Sequence, residues 1–599
     1  MTSSHITVRP IHLIAGSLTA AMVLFGSIPA GPPAGARTSP QDLDLVAPSE
    51  MRDFIDRYST NRAGLQRFYS IGSSPVRLDR LDRFYREWRE RLEEVDFTPL
   101  DLYGRIDWLL MRTHLDRELV RIEHERERLA EVEPLMPYAA AIIEFEESRR
   151  RMEPLDPRQA AERLNTITEQ VEKLQQAMQD SLQAAGPEGE FYLGQPIVLR
   201  ATRISNQLIR TLKSWFEYFT GYQPMFNWWT NDAYEKADKA LKDYVKFLRE
   251  KVLGAKEGEP EPVIGDPIGR EALLDELAFE MIPYTPEELV ELAWEEYHWC
   301  ENEYKRAAGE LGYGDDWQAA VEYVKTLHVA PGRQDSLIRE LATEAIRFLD
   351  EHELVTIPEL ARETWRIEMM SEESQQTTPY FTYGGQRINV SYPTDSMTYE
   401  QKLMSMRGNN IHFSRATVQH ELIPGHHLQG FAAERYRTWR RVFRTAFLVE
   451  GWALHWEMLL WDLGFPQSPE NRIGMIFWRI HRAARIIVSL KFHLGEMTPE
   501  EMIDFLVERV GHERDGATSE VRRYVGEAYG PLYQCAYLVG GWQLRALHGE
   551  LVGSGQMTNR AFHDAVLREN SIPIEMIRLG LTAETPRRNW RPGWRFKDD

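Results

Sequence analysis

The sequence has little cysteine, with only Cys300 and Cys535 among its 599 residues. Two cysteines cannot build a disulfide framework, and they are too few for a metal site made of thiolates. Any metal ligands must therefore be histidine or carboxylate side chains. Two separate buried thiols are favoured over one disulfide, although the sequence alone leaves their pairing open.

Positive charge is also scarce. The 71 lysine and arginine residues face 92 aspartate and glutamate residues, which gives a net charge of −21. Nucleic acids and anionic membrane surfaces are bound by clustered lysine and arginine side chains. The charge balance therefore argues against both as partners of this protein.

The N-terminus carries the pattern of a secretory signal. Arg9 precedes a mostly apolar stretch, Ile11–Ala30, and the small residues Ala34 and Ala36 match a cleavage site. We predict a signal peptide over residues 1–36 and an exported protein, periplasmic or secreted. An uncleaved anchor is the disfavoured alternative, because glycine and proline interrupt the stretch. No later stretch is apolar and long enough to span a bilayer, so no membrane span is expected after cleavage.

Most of the remaining chain has the period of amphipathic helices. Apolar residues recur at spacings of three and four, for example over Leu78–Glu94 and Pro157–Ala184. Thr285-Pro286 and Thr498-Pro499, each followed by two glutamates, predict helix starts. The expected fold is therefore mainly α, with residues 37–599 in a single helical unit.

One region departs from the helical pattern. Thr378–Pro393 contains a Gly-Gly pair, several aromatic residues and a short alternating run, Arg387–Tyr392. This composition predicts a strand or hairpin. It precedes the histidine-rich segment, so we expect a small β element near the metal helix, with the run at Arg387–Tyr392 binding an extended peptide by edge pairing.

Three of the 17 histidines lie in the segment HELIPGHH, which runs from His420 to His427. The usual zinc-binding helix motif is H-E-x-x-H, with two ligands four residues apart and the glutamate as general base. Here Pro424 occupies the fourth position and the next histidine, His426, follows six residues after His420. On a regular helix, His426 would point away from His420, and His427 would lie two turns or roughly 10 Å along the axis.

Pro424 and Gly425 offer a way to bring a second imidazole close. Proline removes a helical hydrogen bond and glycine permits unusual backbone angles, so the helix can break here. We therefore predict His420 and His426 as metal ligands, with His427 as the alternative to His426. Glu421 is the predicted general base.

The predicted third ligand is Glu450. It lies 30 residues after His420 in the apolar and aromatic run FLVEGWALHWE, where an unpaired carboxylate would be costly to bury and a metal would compensate its charge. Glu457 lies on the same helix face two turns later and is a candidate to orient a ligand histidine; a surface ion pair is the equal alternative. His455 points off that face and is predicted to be structural.

Several segments resemble one known bacterial family, called domain of unknown function 885. They are VQHELIPGHHLQG, LVEGWALHWEMLLWDLGF, RAARIIVSLKFH, CAYLVGGWQLRAL and FHDAVLRENSIPIEMI. The resemblance implies a zincin-like metallopeptidase, distantly similar to thimet oligopeptidase, angiotensin-converting enzyme and Taq carboxypeptidase. Such proteins are multi-helical, with two halves around a deep channel. The implied halves here are residues 37–365 and a metal-site half, residues 366–599.

The resemblance also assigns roles. It makes His420, one of His426 and His427, and Glu450 the metal ligands and Glu421 the base. It makes Tyr537 a group that stabilises the oxyanion, with a buried core residue as the equal alternative. The chain departs from the family where Pro531-Leu532-Tyr533 replaces Pro-Gly-Gln and where Ser489 and Lys491 replace aspartate and glycine. These departures concern the substrate pocket rather than the metal motif.

The resulting hypothesis is a zinc-dependent metallohydrolase, a peptidase of oligopeptidase, dipeptidase or carboxypeptidase type. One Zn²⁺ is expected, with Mn²⁺ or Co²⁺ as alternatives that suit the same ligands. The partner is a peptide or small amide substrate, and Arg482 or Arg485 could anchor its carboxylate, although an ion pair within the protein is favoured for either. The alternatives are an amidase acting on a non-peptide or cell-wall fragment and an exported non-catalytic binding protein. Endo- or exo-action and oligomeric state are left open.

Overall fold

A computed structural model describes residues 49–185, 194–256, 262–375, 380–526 and 529–597. The predicted signal peptide, residues 1–36, lies outside these residues. Helices account for most of the described chain and a small sheet for little of it, which confirms the mainly α prediction. The arrangement of two halves around a deep channel stays a prediction. No helix within the described ranges is long and apolar enough to cross a membrane.

The helices before the sheet are α1 (Arg52–Phe68), α2 (Pro75–Glu93), α3 (Leu102–Val132), α4 (Ala139–Arg150), α5 (Pro157–Ala185), α6 (Gly194–Phe219), α7 (Pro224–Phe247), α8 (Gly269–Phe279), α9 (Pro286–Glu310), α10 (Trp317–Lys325), α11 (Gln334–Glu351) and α12 (Glu359–Thr364). Helix α13 (Glu372–Gln375) lies within the sheet region.

The helices that follow are α14 (Tyr399–Gly408), α15 (Ile411–Glu421), α16 (His426–Ala433), α17 (Ala446–Asp462), α18 (Pro469–His493), α19 (Pro499–Phe505), α20 (Arg514–Tyr524), α21 (Tyr533–His548), α22 (Asn559–Arg568) and α23 (Ile574–Leu581). Short 3₁₀ helices cover Glu133–Leu135 and Thr438–Phe443, and π-helical turns cover Leu248–Val252, Leu506–Val510 and Gly549–Gly553.

Both predicted helix starts are confirmed. Helix α9 begins directly after Thr285 and α19 directly after Thr498. At each start the threonine hydroxyl accepts a hydrogen bond from a backbone N–H three residues later, and the glutamate there accepts one from the threonine N–H. These reciprocal bonds satisfy donors that the first helical turn leaves without partners.

The small sheet has the strand order β1 (Arg366–Met369), β3 (Arg387–Val390), β2 (Thr382–Tyr383). Strands β2 and β3 are antiparallel, which confirms the predicted hairpin. Strand β1 pairs with β3 in parallel and was not predicted. Strand β3 has a neighbour on each side, so its backbone groups are already hydrogen-bonded within the sheet. The expectation that an extended peptide pairs with Arg387–Tyr392 is therefore wrong for β3.

Buried aromatic residues fill two hydrophobic clusters. The larger cluster draws residues from both sides of position 365, from Met51 to Phe596, and the smaller one lies among the end of α3 and helices α4–α7. Trp108, Trp452 and Trp456 are fully buried, so the abundant tryptophan mainly supplies core. Both cysteines are free and buried, as the composition favoured.

Helices α17 and α21 touch backbone to backbone. A β-carbon on Gly540 would lie 1.9 Å from the carbonyl oxygen of Phe447, and one on Gly451 would lie 2.5 Å from the backbone of Gly540. Only glycine fits at such a crossing. The close approach brings Tyr533 and Tyr537 of α21 to the face of α17 that carries Glu450.

A cluster of imidazoles, of which His455 and His563 are buried, joins α17, α21 and α22. His455 Nε2 lies 3.0 Å from His563 Nε2, and His563 Nδ1 lies 2.8 Å from the carbonyl oxygen of Leu354. The His548 ring stacks on that of His563 at 5.7 Å. Burial lowers the pKa of His563 to about 3 and holds the pKa of His455 well below its usual range. His455 therefore has a structural position, as predicted.

These buried histidines predict that the protein loses stability in acid. The unfolded chain takes up protons as the pH falls below about 6.5, whereas the folded imidazoles stay neutral down to much lower pH. Stability therefore decreases as the pH falls from about 6.5 towards 3, by up to about 1.4 kcal/mol per pH unit for each such histidine.

Thermal unfolding between pH 7.5 and pH 5 should show a smaller fall in Tm for His455→Leu than for the wild type. His298→Leu, at an exposed site, is the control and should keep the wild-type slope. Equal slopes for the wild type and His455→Leu would contradict the assignment.

Candidate metal centre

The predicted break in the histidine-rich helix is present. Helix α15 ends at Glu421 and α16 begins at His426, with Gly425 preceding it. The N–H of Gly425 donates to the carbonyl oxygen of Gln419 at 3.0 Å. A β-carbon on Gly425 would lie 1.8 Å from the carbonyl oxygen of His420. The chain can therefore fold back this tightly only at glycine, and the fold-back places the His426 ring 4.8 Å from the His420 ring.

Three side chains converge at this break. One ligand atom from each of His420, His426 and Glu450 lies within 4.8 Å of the others. Glu450 Oε2 lies 3.3 Å from His426 Nε2 and 3.7 Å from His420 Nε2. Within the described chain this oxygen is buried and has no hydrogen-bond partner. The three predicted ligand positions are thus adjacent in space.

Glu450 has different surroundings at its two oxygens. Tyr533 donates its hydroxyl to Oε1 at 2.5 Å, which leaves Oε2 facing the two imidazoles. Burial alone would raise the pKa of Glu450, but the imidazoles of His426 and His420 outweigh it and hold the pKa well below the usual range. The carboxylate is therefore charged, and its Oε2 is directed at a place that suits a cation.

His420 is oriented by a second carboxylate. Its Nδ1 lies 2.7 Å from Glu457 Oε1, so an N–H at Nδ1 donates to Glu457 while Nε2 faces Glu450. Burial would lower the pKa of His420, but Glu450 and Glu457 raise it to about 9. Metal-binding histidines commonly have such a carboxylate partner, which fixes the ring and its tautomer. Glu457 thus has the contact predicted for an orienting residue rather than a surface ion pair.

His427, the alternative to His426, lies outside the cluster. Its Nε2 lies 2.9 Å from the carbonyl oxygen of Ala361, and its Nδ1 lies 3.4 Å from the Tyr383 hydroxyl. Both ring nitrogens therefore have protein partners away from Glu450. The helix break brings His426, not His427, to His420.

Glu421 lines a cavity beside the cluster. The cavity encloses about 550 Å³, part of it open to solvent, and its walls are Tyr380, Phe381, Thr382, Thr417, His420, Glu421, Glu457, Trp478, Arg482, Arg485, Glu520 and Arg523. Burial raises the pKa of Glu421 above its usual range, against the opposing charges of His420 and His426. Glu421 therefore lies in the cavity wall beside the cluster, where burial makes its carboxylate a stronger proton acceptor than an exposed one.

Tyr537 lies against the His420 ring, with the ring centroids 6.1 Å apart and the planes nearly parallel. Burial raises its pKa to about 12, so its hydroxyl keeps its proton at neutral pH and remains a hydrogen-bond donor. Tyr533, one turn earlier on α21, was not predicted to contact the cluster. Its position one turn from Tyr537 was the available signal, because residues four apart share a helix face.

The residues present fit a divalent metal ion. Two imidazole nitrogens and one carboxylate oxygen form the ligand set of many catalytic zinc sites, which keep a fourth position open. The buried Oε2 of Glu450 lacks the partner that buried polar atoms nearly always have, and a cation between it and the two Nε2 atoms would supply one. Imidazole and carboxylate also suit Mn²⁺ and Co²⁺.

Comparison with known proteins places the chain in a family. Residues 71–579 match the family described as bacterial protein of unknown function, DUF885. The chain belongs to the DUF885 family. The matched range contains every residue of the cluster and of the cavity. No functionally curated protein matches the chain.

Two solved structures share the fold of this DUF885 protein. A "putative lipoprotein of unknown function" from Shewanella oneidensis matches with a TM-score of 0.65 and 17% identity, over 90% of this chain and 100% of the other. A "putative lipoprotein" from Colwellia psychrerythraea matches with a TM-score of 0.55 and 15% identity, over 89% and 97% of the respective chains. At such identities the similarity shows the fold alone.

Replacing Gly425 by alanine should disturb the cluster while sparing the rest of the protein. The added methyl group would meet the carbonyl oxygen of His420, so the backbone between the two imidazoles must shift. We expect zinc binding to weaken by about 10-fold or more, the range seen when groups that orient ligands are lost. Gly430→Ala is the matched control, because its methyl group would make only an ordinary 3.7 Å contact with Tyr383. Zinc titration of both variants checks this, and equal affinities would contradict it.

Proposed function

We propose that this DUF885 protein is a metal-dependent hydrolase of amide bonds, a peptidase, with one zinc ion held by His420, His426 and Glu450. The observation that carries the proposal is the buried Oε2 of Glu450, which accepts no hydrogen bond within the described chain and faces two imidazole Nε2 atoms at 3.3 Å and 3.7 Å. Beside it, Glu421 lines an open cavity. A divalent ion there would supply a Lewis acid that polarises a carbonyl oxygen and acidifies water.

Glu421 has the role of general base. Its carboxylate accepts a proton from water as the water oxygen bonds to the carbonyl carbon of the substrate amide. It then gives that proton to the amide nitrogen as the carbon–nitrogen bond breaks. One water is consumed, and a carboxylic acid and an amine are released. Its place on the cavity wall, next to His420 in the chain, supports this assignment.

Tyr537 has the role of oxyanion donor. A donor that keeps its proton at neutral pH can hydrogen-bond to the negative charge that develops on the carbonyl oxygen. Its parallel contact with the His420 ring keeps the tyrosine next to the cluster. Tyr533 positions Glu450 through its hydrogen bond to Oε1.

We also propose export, which the apolar N-terminal pattern supports. The two structures that share the fold carry the description "putative lipoprotein". This chain has no cysteine before Cys300, so the sequence offers no cysteine near the predicted cleavage site for lipid attachment.

Replacing Glu421 by glutamine tests the proposed chemistry. Glutamine keeps the shape of the side chain but cannot accept the proton, and loss of a general base commonly costs about 10²–10⁴-fold in rate. We expect kcat on short peptides to fall by at least about 100-fold while zinc content stays unchanged. Hydrolysis of a peptide mixture followed by mass spectrometry, together with metal analysis, provides both readouts.

Two controls accompany this variant. Glu434→Gln, at an exposed carboxylate just after α16, should keep wild-type turnover. Removal of the metal by a chelator should abolish hydrolysis, and added Zn²⁺ should restore it. Unchanged turnover in Glu421→Gln would remove this residue from the proposed role, and hydrolysis that survives full metal removal would refute a metal-dependent reaction.

A further inference from the structure

The cavity beside the candidate metal centre is lined by three arginine side chains, Arg482, Arg485 and Arg523. Of the three carboxylates in its wall, Glu421 and Glu457 belong to the surroundings of the cluster, and Glu520 pairs with arginine. Arg485 Nη2 donates to Glu520 Oε2 at 2.8 Å, and Arg523 pairs with the other oxygen of Glu520. Each carboxylate oxygen of Glu520 therefore already pairs with one of these two guanidinium groups.

Arg482 makes no hydrogen bond or ion pair within the described chain. Its Nε is buried without a hydrogen-bond partner, and the residue is only 7% exposed. The charge of Glu421 is near enough to interact with it, but the two side chains form no ion pair. Two aromatic rings hold it, with the guanidinium carbon 4.4 Å from the Tyr537 centroid and 5.4 Å from that of Trp478. Arg485 Nη1 is also buried without a partner. A buried guanidinium of this kind is costly unless an anion pairs with it.

The unpaired arginine lies close to the predicted scissile bond. The Tyr537 ring centroid lies 4.4 Å from the guanidinium carbon of Arg482 and 6.1 Å from the centroid of the His420 ring. The two groups are therefore at most about 10.5 Å apart. An extended peptide spans about 3.3–3.6 Å per residue. An anion bound at Arg482 thus lies within about three residues of the cleaved amide.

We propose that Arg482 and the free Nη1 of Arg485 bind the C-terminal α-carboxylate of a peptide substrate. The protein then removes a fragment of at most about three residues from the C-terminal end of a peptide and does not cut within long chains. Arginine presents paired N–H donors that match both oxygens of a carboxylate. Tyr380, Phe381 and Trp478 also line the cavity, and their aromatic surfaces suit an apolar side chain on the terminal residue. The inference rests on the proposed peptidase function.

The main test compares three peptides. The first has a free C-terminal carboxylate, the second is the same peptide with a C-terminal amide, and the third is a C-terminal amide in which glutamate replaces the last residue. We expect the zinc-loaded wild type to favour the free acid over both amides by at least about 10-fold in kcat/KM, as charge-assisted hydrogen bonds allow. Arg482→Met should lower kcat/KM on the free acid by about 10- to 100-fold more than on the amides, with this difference appearing mainly in KM.

Two further variants make the comparison specific. Arg482→Lys keeps the charge without the paired donors, so it should retain part of the preference, and it covers the case in which methionine impairs folding. Arg472→Met, on the same helix but paired with Glu310 near the surface, should keep the full preference. Equal cleavage of the acid and the plain amide would overturn the proposal, as would a preference for the glutamate amide.

A binding measurement separates this inference from the hydrolysis on which it rests. Ligand-observed NMR with N-acetylphenylalanine and its amide requires no turnover. We expect the acid to bind the wild type more tightly than the amide, and to lose that advantage in Arg482→Met. If the acid binds in this way but no peptide is cleaved, the peptidase function fails. If peptides are cleaved and neither binding nor cleavage distinguishes acid from amide, the carboxylate site fails.

Discussion

The candidate site depends on one close backbone contact. Gly425 lies against the carbonyl oxygen of His420, with no room for a β-carbon. This contact ends α15, starts α16 and turns His426 back towards His420. Without it, two histidines six residues apart would face different directions, and the buried oxygen of Glu450 would have one imidazole beside it instead of two. The other features of the site add to this arrangement, since Glu457 orients His420 and Tyr533 holds the second oxygen of Glu450.

Tyr537 lies next to two groups of charged side chains. Its ring centroid is 6.1 Å from that of His420, and the guanidinium carbons of Arg482 and Arg485 lie 4.4 Å and 4.6 Å from it. An amide substrate with a terminal carboxylate has a matching pattern, with a polar carbonyl at one point and a negative charge a short distance away.

The sequence predicted those features that local chemistry determines. Helical period, the threonine caps before α9 and α19 and the break at Pro424-Gly425 depend on residues close together in the chain, and all three are present. Glu450 was identifiable because a carboxylate in an apolar run needs a partner. Other features depend on distant segments that meet only in the fold. They are the parallel pairing of β1 with β3, the contact of Tyr533 with Glu450, and the absence of a hydrogen bond to Arg482 from any described residue. An ion pair was favoured for Arg482 because most arginines on helices have one, and only the three-dimensional arrangement shows otherwise.

The glycine crossing of α17 and α21 has a mechanical consequence. Backbones in direct contact at Gly451 and Gly540 leave no layer of side chains that could rearrange to let one helix slide along the other. Glu450 and the two tyrosines therefore behave as parts of one rigid body. When the cavity widens to admit a ligand, the segments that move are therefore those outside α17 and α21. The stretch from Tyr380 to Thr382, which lines the cavity before the hairpin turn, is one of them.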